Sequence, residues 1–255
     1  LSYFYTLSYS CTRRCPIQKT SPLPLSFLPL AFGGVIATTL TLTVLSGLGI
    51  SHARAARAVG LEDVALFRVA LYALWAAAAT VGLVVAMKRR GISLEDLGWR
   101  GSLSLGAAGW AVVATLLAIA LWLPLDALRQ ALGLPLYWTP GQARFVSPRT
   151  GWELFVAAVA GLMLVPPAGE TLFRGYVLQA VRARVGPVAA LFLHNALFAL
   201  YHLGVGPGLL LYMFVWSFFP ALLFLRYRSV YPGMLMHFLN NVFVDLVFPV
   251  LFSGR

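Results

Sequence analysis

The chain has 255 residues, 60% hydrophobic and only 11% charged, with mean hydropathy +0.83 and a formal net charge of +11. Its eight acidic residues cannot cover a soluble globule of this size, for which about 25% charged residues is usual, so lipid is the solvent for much of the surface. The basic residues lie mostly between apolar runs and form no groove or stripe, which argues against nucleic acid as a partner and for membrane orientation.

Residues 1–24 are polar and aromatic without periodicity and read as a disordered tail or an over-extended gene start, not a signal peptide. The Cys11 and Cys15 pair has no second pair and reads as two ordinary thiols rather than a metal or disulfide framework. Seven apolar runs follow, at 26–50, 64–87, 104–124, 152–172, 187–203, 208–226 and 231–252. Backbone groups in lipid must be bonded within the segment, so the expected fold class is all-α, a polytopic transmembrane helical bundle of about seven helices. Residues 25–149 form the N-terminal transmembrane helices and loops, and 150–252 form a core that holds most of the polar residues of interest.

Between the second and third runs, KRRGISLEDLGWRGSL contains Ser93, an expected N-cap for a short interfacial helix beginning near Glu95 and Asp96. Residues 125–151, with Pro140, Gly141 and Pro148, read as a surface connector. With the N-terminus inside, twelve of the nineteen Lys and Arg fall on inside segments, Arg174 among them. This bias predicts N-terminus in and C-terminus out. The alanine, leucine and arginine content and the short loops point to a bacterial cytoplasmic membrane.

Ionisable residues at membrane depth are functional candidates by default. Glu170 and Arg174 share a helix face at i, i+4 after Pro166 and Pro167. They read either as a structural ion pair or as part of a site. His202 ends FALYHLG, four residues after Phe198, and taken alone reads more readily as an interfacial or packing histidine. His237 and Asn241 are again i, i+4, with Asp245 one turn on. That stripe faces protein or a watery cavity, serving interhelical hydrogen bonding or chemistry. Helices leaving a turn at Gly186 and Pro187 would bring Glu170 and His202 to similar depth. His237 falls on the opposite side of a simple up-down bundle unless the sixth run tilts or breaks.

A carboxylate and two histidines in a cavity suit activation of water, and an asparagine amide suits an oxyanion. No H-E-x-x-H and no G-x-S-x-G occurs. The chain resembles the CPBP intramembrane proteases, the Abi family that holds type II CAAX prenyl endopeptidases and bacteriocin-immunity relatives. The resemblance covers roughly residues 150–250. Its motifs are E-E-x-x-x-R, here Gly169-Glu170 through Arg174; F-x-x-x-H, here Phe198 to His202; and H-x-x-x-N, here His237 to Asn241.

The resemblance implies an intramembrane endopeptidase that cleaves a peptide or protein near the membrane. Glu170, His202 and His237 would activate water, Asn241 would support the oxyanion, and Arg174 would orient Glu170. The family leaves open whether a divalent metal such as zinc takes part; if one does, Glu170, His202 and His237 are its expected ligands. The departure is Gly169, where the family carries the glutamate usually given the base role. Three readings of it stand side by side: Glu170 substitutes, the protein is a non-proteolytic binder or scaffold, or an otherwise intact site lacks one residue. A small transporter is a further rival, since transport sites use broken helices and midplane charges, but the chain shows no paired repeats.

Overall fold

The computed structural model describes residues 23–136, 146, 148–203 and 206–247. Cys11, Cys15, Pro140 and Gly141 lie outside them. Among the described residues the fold is all-helical, with no strand. Nine helices follow one another: α1 (Leu25–Ala31), α2 (Gly33–Gly47), α3 (His52–Ala58), α4 (Val64–Lys88), α5 (Leu105–Ala131), α6 (Gly151–Val185), α7 (Pro187–Tyr201), α8 (Pro207–Tyr227) and α9 (Tyr231–Val242), the last continuing as a wider turn over Phe243–Val247.

Each of the seven apolar runs is thus helical over most of its described residues. By length and composition α4, α5, α6 and α8 can cross a membrane, and α1 with α2, bent by 46°, makes a fifth span if the pair is one. At 15 residues, α7 is shorter. On α5, Trp110, Val113, Leu116 and Leu117 are exposed, a continuous apolar face suited to lipid.

Helix starts follow local capping chemistry. Asp63 accepts the Ala65 and Leu66 amides at 2.7 and 3.2 Å, Ser104 accepts from Ala107, and Thr150 accepts from Glu153. Gly186, at φ 81°, makes the turn into Pro187, the first residue of α7.

Two connector expectations are corrected. The run ending at 124 continues as helix to Ala131, so the connector begins later. After Ser93 there is one turn, not a helix. Ser93 and Asp96 cap each other as expected, but Gly98 adopts φ 86° two residues later and ends the turn. A side chain at Gly98 would collide with Phe224, its Cβ falling 2.6 Å from Phe224 Cε2.

Glu153 was not singled out by its sequence, and it is fully buried. Its carboxylate accepts the backbone amides of Glu62, Asp63 and Arg149 at 2.7, 3.0 and 2.7 Å. It therefore ties the loop before α4 to the start of α6. Glu153→Ala leaves three donors without their acceptor and is expected to cost about 3 kcal/mol. Thermal unfolding in detergent measures it; a loss below about 1 kcal/mol would mean that water takes over these amides.

Candidate active site

α6 is where sequence chemistry shapes the site. Pro166 and Pro167 have no N–H, so they cannot continue the helical ladder. The helix widens on both sides of them, over Ala158–Leu164 and Glu170–Leu178, as helices often do at functional positions. In the first wide stretch Val165 N–H donates to Ala160 O. The same register would pair Gly161 O with residue 166, which is proline. Gly161 O accepts instead from the Asn241 side chain, Nδ2 to O at 2.8 Å.

The second wide stretch carries Glu170 and Arg174, both fully buried. Arg174, counted with the inside segments in the sequence, belongs to the bundle interior. Its Nη1 lies 3.3 Å from Glu170 Oε1, and its Nη2 donates to Ser217 Oγ at 2.9 Å and Ser217 O at 3.3 Å. The guanidinium lies over the Phe198 ring at 4.4 Å and the Trp216 ring at 5.6 Å, cation–π contacts that hold it flat. The phenylalanine of the F-x-x-x-H motif thus positions Arg174. α8 breaks at Ser217, three residues before Pro220. There the ladder bond from Ala221 to Ser217 O is long, 3.3 Å, leaving room on that carbonyl for Arg174.

His237 joins the same carboxylate: its Nδ1 is 3.1 Å from Glu170 Oε1. Of the two arrangements left open by the sequence, the one with a broken sixth run holds: α8 breaks at Ser217, and His237 meets Glu170. α6 has 35 residues, about 50 Å, against about 30 Å of hydrocarbon. At the start of α9, His237 and Gly233 both stand against Glu170. Gly233 makes the approach close: a Cβ there would fall 2.6 Å from Glu170 Oε2. That oxygen is buried and has no hydrogen-bond partner among the described residues.

His202 does not join the carboxylate. Its Nδ1 is 2.8 Å from Phe198 O, and its ring lies 4.8 Å from that of Phe198. Phe198 stacks on Trp216, and Trp216 meets His237 edge to face at 5.0 Å, so the two histidines are linked through rings. Among the described residues no three His, Cys, Asp or Glu side chains are grouped to hold a metal. A zinc site needs at least three such ligands. The set Glu170, His202 and His237 does not fit one, and no step below is routed through a metal.

Neighbouring asparagines face different ways. Asn241 is committed to Gly161 O, whereas Asn240 Oδ1 accepts from Trp216 Nε1 at 3.2 Å. The indole is only a donor, which fixes the Asn240 amide with its NH₂ group turned the other way. Asn240, Trp216, Ser217 and Gly233 carried no sequence signal, because none belongs to a spaced motif. Gly169 points at the same cluster: a Cβ there would stand 3.3 Å from His237 Cε1 and 3.7 Å from its Nδ1.

Residues 151–243 match the family model described as type II CAAX prenyl endopeptidase Rce1-like. This segment is an Rce1-like domain. It begins with α6, ends just beyond α9, and contains every side chain of the cluster described above. No curated protein and no solved structure matches the chain.

Proposed function

We propose that the Rce1-like domain is an intramembrane endopeptidase that hydrolyses a peptide bond near the membrane face, with His237 as general base and Glu170 as the group that orients it. The observation that carries this reading is the buried Glu170 Oε1 to His237 Nδ1 contact at 3.1 Å. A carboxylate on Nδ1 holds the proton there and leaves Nε2 to accept one. Water attacks the scissile carbonyl carbon as its proton passes to His237 Nε2, and His237 then returns that proton to the leaving amine. Arg174 fixes the carboxylate. The NH₂ group of Asn240 is the side-chain donor offered to the oxyanion, and Asn241 acts as a tie between α9 and α6. The substrate is a peptide or protein segment with a membrane-proximal bond, and the membrane is the bacterial cytoplasmic one with the N-terminus inside.

A fluorogenic peptide library in liposomes tests this. His237→Ala is expected to lower kcat by about 100-fold or more, the contribution of a positioned base. Asn240→Ala is expected to lower kcat by about 100-fold, as loss of an oxyanion donor does, whereas Asn241→Ala lowers thermal stability and leaves kcat within about threefold of the parent. The opposite order would return the oxyanion role to Asn241. A second reading is carried by Gly169. The position facing His237 has no carboxylate, which suits a relative that binds a membrane peptide without cutting it. Peptide retention without cleavage by the unmodified chain supports that reading.

A further inference from the structure

One end of the bundle gathers several arginines, and some of them are occupied. Arg90 lies over Phe27, Arg226 over Trp110 and Tyr227, and Arg184 donates to Leu23 O. Arg100, Arg182 and Arg228 differ in lying together, with Arg100 Nε spent on a carbonyl of the cluster itself. Three segments bring them together. Gln179, one turn before Arg182, donates to Asp96 O at 2.9 Å. Val230 N–H donates to Gly98 O at 3.0 Å, and Arg100 Nε donates to Arg228 O at 2.6 Å. Among the described residues no carboxylate forms an ion pair with any of the three. Asp96, in the same turn as Arg100, is engaged by Ser93.

Three like charges converge, and among the described residues none of them forms an ion pair. The Arg228 guanidinium is held below its usual pKa range by desolvation and by the charges of Arg182 and Arg100. Arg228 also adopts φ 54°, alone among the described non-glycine residues in being left-handed, a strain that persists where the surroundings or a function hold it. Beneath the cluster Trp99 meets Tyr231 edge to face at 5.9 Å, the aromatic pairing that marks headgroup level in membrane proteins. Arginine forks there match phosphate oxygens.

We propose that Arg100, Arg182 and Arg228 form a binding site for the phosphate of an anionic lipid headgroup. The site neighbours the active cluster, because Trp99 Nε1 donates to Thr171 Oγ1 at 3.0 Å, one residue from Glu170. A bound headgroup therefore steadies the 93–100 turn where it covers α6. The proposal stands whether or not the domain hydrolyses peptides.

The test is intact-protein mass spectrometry of the full chain in detergent, titrated with phosphatidylglycerol, phosphatidylcholine or inorganic phosphate. The triple change Arg100→Gln, Arg182→Gln, Arg228→Gln is compared with an equal charge loss at the occupied arginines, Arg90→Gln, Arg184→Gln, Arg226→Gln. The expected result is about 100-fold weaker phosphatidylglycerol binding in the first triple, with the second within about fivefold of the parent and phosphatidylcholine weak throughout. Should the first triple not fold, Arg228→Gly removes one guanidinium and relaxes the backbone, and about fivefold weaker binding is expected. Equal losses in both triples, no loss in Arg228→Gly, or equal retention of the two lipids would overturn the site. Inorganic phosphate binding as tightly as phosphatidylglycerol would overturn its assignment to lipid.

Discussion

Gly169→Glu is expected to raise peptide cleavage by about 100-fold, the scale of one added general base. The backbone at Gly169 is right-handed helical, φ −59°, so a side chain meets no conformational penalty. Its Cβ would point at the His237 ring, 3.3 Å from Cε1, and the ring need shift only by a few tenths of an ångström. The new carboxylate would share the cavity with Glu170 and His237. The added carboxylate gives the water proton a second acceptor beside His237. Gly169→Gln has the same shape without the base and is expected to give no gain. Gly169→Glu combined with His237→Ala is expected to lose it. Activity already present in the unmodified chain and unchanged in Gly169→Glu would mean that Glu170 and His237 supply the whole base. No cleavage by any version would sink the endopeptidase reading and leave the binder.

The second large effect is on stability. Glu170→Ala leaves the Arg174 guanidinium fully buried, with Ser217 and two aromatic faces but no counter-charge. Removing one partner of a buried ion pair costs about 3–5 kcal/mol. A well-packed apolar replacement of both partners is often nearly neutral, so Glu170→Ala with Arg174→Leu is expected to recover most of that loss. Thermal unfolding in detergent measures both. Cleavage is expected to stay abolished in the single and the double variant, which separates the chemistry from the fold. A double variant as unstable as the single would mean that Arg174 holds α8 through Ser217 more than it answers Glu170.

What could be read from the sequence was whatever depends on local spacing and on solvent. Long apolar runs become helices because lipid offers no partners for backbone groups, and each of the seven runs is helical over most of its described residues. The i, i+4 pair Glu170 and Arg174 is in contact for the same local reason. The motif pattern also located the family segment, because each motif lies within one helix. Residues brought together from different helices were another matter. Glu170 and His237 are 67 positions apart, and their contact depends on how α6 packs against α9 and on Gly233 leaving room for a carboxylate. Nothing local distinguishes Asn240 from Asn241 either: one step along a helix turns a side chain by about 100°. That step sets Asn240 against Trp216 and Asn241 against a carbonyl that a proline had left unpaired. Composition and periodicity determined the helices and the candidate polar groups; the packing of α6, α8 and α9 decided which of those groups meet, because side-chain contact across helices depends on depth and rotation that no single helix encodes.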